Sequence, residues 1–175
     1  MPVMVALLRG VNVGGHGKLS MAELRAVAED LGHTEVRSYV QSGNLVFTTR
    51  QRSARRVAAE LEAAVAAACA VAPRVVVRTE AELREVVQAD PYVARGEDPA
   101  SVHVTFFTDR APSPGDLSDL APEEAEAIGR EVHMFLPSGI GRSKLATRLG
   151  RAAPEGTTRN WRTVTTLHAM ATGED

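Results

Sequence analysis

The sequence predicts an α+β fold whose first part is a ferredoxin-like split βαβ unit, with elements in the order β-α-β-β-α-β. Three observations carry that prediction: apolar runs of strand length, capping signatures that open amphipathic helices, and turn residues placed between them. Residues 3–8 (VMVALL) form a short apolar run, as a strand buried on both faces requires. A glycine-rich loop follows, and Ser20 and Glu23 then form a capping box with Leu19 and Leu24 placed for the hydrophobic staple. The helix presents Met21, Leu24, Val27, Ala28 and Leu31 on one face and stops at Gly32. Residues 36–41 and 45–49 read as two strands around the turn Ser42, Gly43, Asn44. Ser53 opens a second helix carrying Val57, Leu61, Ala64, Val65 and Ala68, and residues 74–78 close the unit as a Val-rich strand. One core is expected to hold Leu24, Leu61 and Val76.

Residues 1–79 are therefore read as one subdomain and 80–175 as a second small α+β subdomain. Thr79 and Glu82 open a third helix by the same capping logic, and Pro91 ends it by disfavouring the helical region at Asp90. Beyond it, residues 102–108 read as a strand and 112–120 as a loop or short helix. Residues 125–128 and 131–136 form a hairpin about Gly129 and Arg130, and 141–149 read as a helix. Thr158 is expected to cap a last helix over 159–171, whose buried face would be Trp161, Val164, Leu167 and Ala171. The order suits a degenerate copy of the first unit, although no residue-level repeat supports it.

Composition bounds the class. With 44% hydrophobic and 24% charged residues the chain is that of a globular protein. No apolar run approaches the ~20 residues that a membrane span needs, and the first residues lack the basic region of a signal peptide, so a cytoplasmic protein without membrane contact is expected. Cys69 is the only cysteine, which removes intramolecular disulfides and thiolate metal clusters, and it reads as a buried structural thiol. A net charge of −2 conceals an uneven distribution: Arg142, Lys144, Arg148, Arg151, Arg159 and Arg162 face only Glu155 between residues 142 and 162.

Several segments resemble the DUF1697 family. They are LRGVNVGG at 8–15, Lys18, MAEL at 21–24 and YVQSGN at 39–44, then VHVTF at 102–106, PSGIGRSKL at 137–145 and TTRNWRTV at 157–164. The resemblance spans nearly the whole chain and implies a bacterial α+β protein of two small subdomains. It brings no mechanism.

The residues themselves point to anion binding. The loop from Asn12 to Lys18 comes near a P-loop, but Asn12 stands where the first glycine belongs and Leu19 replaces the metal-binding hydroxyl. What remains is a set of glycine amides (Gly14, Gly15, Gly17) at a helix start beside Lys18, a generic anion cradle; the plain alternative is a tight turn. In a split βαβ unit the first and second strands run parallel, so the loop after one and the turn after the other open at the same end. Arg9, Asn12, Gly14, Gly15, Lys18, Gln41, Ser42 and Asn44 should then share one rim. A second strand–glycine loop–helix junction brings Arg142, Ser143 and Lys144 to a helix start, where cations oppose the helix dipole and a bound anion would offset them. Arg159 and Asn160 flank Trp161, which reads as core more readily than as a stacking platform. The five histidines show no metal spacing, although His103 and His133 stand where paired strands would let them face each other, and no metal or cofactor is expected. The expected ligand is a small phosphorylated or nucleotide-like molecule. The alternatives are an enzyme acting on such a ligand, for which no reaction type follows from the motifs, and a nucleic-acid-binding module. Against the last, the first strand offers no aromatic residue and the third offers only Phe47.

Overall fold

The computed structural model describes residues 1–15 and 18–174. His16 and Gly17 of the glycine loop, and Asp175, lie outside the described residues. The chain divides into two compact units, Met1–Arg84 together with the segment from Thr166 onward, and Glu85–Thr165. The division thus falls inside two helices instead of at residue 79, and the last residues group with the first unit. Within that unit Arg37 donates to the Met170 carbonyl.

The first unit contains β1 (Val3–Arg9), α1 (Met21–Asp30), β2 (Thr34–Ser38), β3 (Asn44–Thr48), α2 (Ala54–Ala68), β4 (Arg74–Thr79) and the start of α3 (Glu80–Ala89). Its sheet has the order β2-β3-β1-β4 with every neighbouring pair antiparallel. That is the ferredoxin-like arrangement, with β1 and β2 parallel and β3 between them. Local chemistry starts the helices as expected. Ser20 accepts from the Glu23 amide while the Glu23 carboxylate accepts from the Ser20 amide. Ser53 caps α2, and Thr79 and Glu82 repeat the reciprocal box at α3.

Strand alternation then assigns the core. Met4, Ala6, Leu8, Leu45, Phe47, Val75 and Val77 pack with Leu24, Val27 and Ala28 of α1 and Val57, Leu61 and Val65 of α2. Val76 does not join Leu24 and Leu61: with a side-chain period of two it points to the opposite face, where it pairs with Leu7. Cys69 is only half-buried, because it sits at the end of α2 and packs against the edge of the core. Leu31 is exposed, since α1 stops at Asp30 and Gly32 turns the chain away in a left-handed conformation.

The second unit holds the rest of α3, α4 (Pro91–Ala94), β5 (Val102–Phe106), β6 (Glu124–Ile128), β7 (Glu131–Phe135), α5 (Lys144–Ala152), β8 (Thr157–Asn160) and the start of α6 (Trp161–Thr172). Its sheet has the order β6-β7-β5-β8, again wholly antiparallel, and so repeats the first. The first crossover helix is missing. Between β5 and β6 lies a loop with one 3-10 turn (Ser118–Leu120), and Phe107, Ala111 and Leu120 fill the place by packing against Val132, Met134, Leu145 and Leu149.

Two sequence expectations fail here. Residues 157–160 are a strand, not the opening of a helix, because they pair with β5 through Phe106 and Thr157, Thr105 and Thr158, Val104 and Arg159, and His103 and Asn160. The cap of α6 is consequently Asn160, whose side chain accepts from the Thr163 amide. His103 and His133 do not face each other either: His103 pairs with Met134, and His133 pairs with Val104. One register step puts the two rings on opposite faces of the sheet.

The repeat does extend to particular residues. Arg78 of β4 lies opposite Val5, and Arg159 of β8 lies opposite Val104. Each is buried, and each donates to the carbonyl of the residue before it, Val77 and Thr158 respectively. In both units the next residue caps the following helix.

Candidate functional site

The first rim assembles as the topology requires. β1 ends into the glycine loop and β2 ends into the turn at 39–43, and one side chain ties them together. Asn12 donates to the Leu19 carbonyl at 2.8 Å and to the Gln41 carbonyl at 2.7 Å, and its oxygen accepts from the Leu19 amide at 2.8 Å. Its backbone is left-handed, with φ 56°, a conformation in which asparagine is enriched among non-glycine residues. The glycine that a P-loop would place here is therefore replaced by a clamp. The turn is tied down a second time by the Leu8 amide, which donates to the Gly43 carbonyl at 2.9 Å. Gly43 is left-handed (φ 87°), and a Cβ there would lie 2.6 Å from Val11 Cγ2, so the close approach of turn to loop needs glycine.

Between these segments lies a cleft of about 600 Å³ lined by Asn12, Gly15, Lys18, Leu19, Ser20, Glu23 and Gln41. Lys18 is its exposed cation, and Gly14 and Gly15 present exposed backbone in left-handed conformation. Ser20 and Glu23 spend their polar atoms on the helix cap, including a hydrogen bond from Ser20 Oγ to Glu23 Oε2 at 3.0 Å. Asn44 is wholly buried and organises the turn, donating to the Tyr39 carbonyl and to Ser42 Oγ. Arg9, at the end of β1, pairs in register with Arg74. Sequence reasoning missed Val13 and Val40. Both are exposed at this rim, 65% and 47% respectively, and Val40 is held left-handed at φ 49°. A β-branched residue there is a genuine outlier.

The second junction is built differently from the sequence expectation. Ser143 caps α5, but the anion at that helix start is the protein's own. Glu123 accepts from the amides of Lys144 and Leu145, each at 3.2 Å, and from Ser143 Oγ. Alongside lies a cleft of about 690 Å³ lined by Gly141, Arg142, Ser143, Lys144, Thr147, Arg148, Arg151 and Ala152. Arg148 is engaged with Asp119, at 2.8 Å for the shorter contact, and this hydrogen bond holds the Asp119 carboxyl below its usual range.

The last pair of candidates serves the fold. Burial pushes Arg159 down to about 10, and Asn160 caps α6. Trp161 is buried in keeping with its place on the apolar face. The face of the first sheet that points away from α1 and α2 is also closed, with Val5, Leu7, Val46 and Val76 at 1–2% exposure.

A family model described as a protein of unknown function (DUF1697) matches residues 1–133. The chain belongs to the DUF1697 family. The match takes in the whole first rim, β5 and β6, and ends within β7. A conserved bacterial protein from Streptococcus pneumoniae is similar to this DUF1697 chain over its full architecture, with 25% identity, a TM-score of 0.75, and coverage of 97% of this chain and 98% of that one. That likeness extends across α5 and β8, beyond the stretch matched by the DUF1697 model. No curated protein matches the chain. Among the described residues, no helix is long and apolar enough to cross a membrane.

Proposed function

We propose that this protein binds a small phosphorylated, nucleotide-like ligand at the cleft between the glycine loop and the β2–β3 turn. The observation that carries the reading is the strained, exposed Val40, next in sequence to Gln41, which lines that cleft. A non-glycine residue held in the left-handed region costs about 1–3 kcal/mol and persists where surrounding contacts over-determine it, a pattern concentrated at ligand clamps. Here the Asn12 and Gly43 ties supply those contacts, and Val40 and Val13 are left facing solvent. A ligand with an anionic group at Lys18 and the Gly14–Gly15 backbone, and a planar or apolar part over the two valines, would use every unspent feature of the rim. The chemistry fits binding better than reaction, because among the described residues that line the cleft Ser20 and Glu23 are engaged in the helix cap. Base stacking on the face of the sheet away from α1 and α2 is disfavoured too, since that face is buried at β1 and β3.

The test is a thermal scan with nucleotides and phosphosugars on the wild type, Lys18→Ala and Val40→Ser. Ligand at about 100 times its dissociation constant adds roughly 2.7 kcal/mol of apparent stability. Both substitutions should shrink that increment, and Lys18→Ala should leave the baseline nearly unchanged because Lys18 is exposed. Inorganic sulfate serves as the control for non-specific stabilisation by exclusion. If Lys18→Ala keeps the full increment for every ligand that shifts the wild type, the rim is a turn and the proposal fails.

A further inference from the structure

The exposed flank of α5 is a charged surface that the rim does not explain. Lys144, Arg148 and Arg151 stand at i, i+4 and i+7, which places them on one stripe of the helix. At 1.5 Å per residue the stripe runs about 10.5 Å, and Arg142 in the preceding turn extends it. All four side chains are exposed. Among the described residues, no carboxylate and no aromatic residue lines the cleft they share. The helix N-terminus itself is excluded as the site, because Glu123 already occupies its amides.

We infer that this flank docks on the phosphate backbone of a nucleic-acid duplex, without reading its sequence. A single small phosphate would engage one end of the stripe and leave the other cations unused. A duplex carries one charge per ~1.7 Å of its axis, so a stripe of this length meets several phosphates at once. Single-stranded binders add aromatic platforms for the bases, and this cleft has none. Contacts of exposed cationic side chains to phosphate oxygens position a duplex and carry no sequence information. Arg148 is held by Asp119 and is therefore not counted among the free cations of the stripe.

Binding of a fluorescein-labelled duplex of about 20 base pairs, followed by anisotropy from about 50 to 200 mM salt, tests this. With three free cations engaged, log K against log salt should have a slope of about −2.7, from roughly −0.9 per neutralised phosphate. Lys144→Ala and Arg151→Ala should each flatten the slope by about 0.9, and Asp119→Asn should steepen it by about the same amount as Arg148 is released. Lys18→Ala should leave the slope unchanged, so this surface and the first rim fail or stand separately. Circular dichroism melting of each variant confirms that the fold is intact. The inference is overturned by no salt-dependent binding at the lowest salt, by slopes that the α5 variants do not alter, or by tighter binding of a single strand or of a poly-glutamate of equal charge.

Discussion

Replacing Asn12 with alanine removes a clamp whose parts can be counted. Three hydrogen bonds of 2.7–2.8 Å disappear. A hydrogen bond contributes about 0.5–1.5 kcal/mol net, and those to Leu19 sit in a part-buried site where water replaces them poorly. The bond to the Gln41 carbonyl is exposed and counts for less. Alanine must also adopt the left-handed φ of 56°, which costs roughly another 1 kcal/mol. The expected loss is about 2–4 kcal/mol, read from urea unfolding as a lower midpoint with unchanged slope. Asn12→Gly separates the two causes: it lacks the clamp but tolerates the conformation, and so should recover about 1 kcal/mol relative to alanine. The reasoning is refuted if Asn12→Ala costs less than about 0.5 kcal/mol, the range of an ordinary surface substitution. It is refuted in part if glycine and alanine are equally destabilising, since the backbone would then have relaxed.

Gly156→Ala should destabilise by about 1–3 kcal/mol through overpacking, because its Cβ would lie 2.6 Å from Thr105 Cγ2 and 2.8 Å from the Phe107 ring. Gly150→Ala, on the exposed face of α5 with nothing within 4 Å, should instead stabilise by about 0.5–1 kcal/mol; equal effects of the two in thermal melts would contradict the packing. Burial holds the His33 and His103 imidazoles below their ordinary value of 6.5, with Glu60 opposing the effect at the first and a hydrogen bond with the Ser101 backbone at the second. The unfolded chain therefore takes up protons first, and the melting temperature should fall as pH drops from about 7.5 to 5.5, less steeply in His103→Leu. A melting temperature that rises across that window would show these rings to be protonated in the fold.

What the sequence determined alone was whatever depends on near neighbours. The capping boxes at Ser20 and Thr79, the cap at Ser53, the hairpin about Gly129 and the apolar faces of the helices follow from interactions spanning a few residues, and the structure contains them. The order of the first sheet followed as well, because β-α-β-β-α-β has few compact solutions. Tertiary structure decided the rest. Residues 157–160 carry the local chemistry of a helix start, and pairing with β5 more than fifty positions away turns them into a strand. Val76 and His103 took their faces from register, which a single-residue slip inverts. Asn12 looked like a failed phosphate loop until Gln41, 29 residues on, was placed at its side chain. Ser143 and Lys144 looked like an open anion site until Glu123, 20 residues before Ser143, was placed at the helix start. In each case the deciding partner is brought in by chain folding, and its hydrogen bonds and charge leave no trace in the residues beside the site.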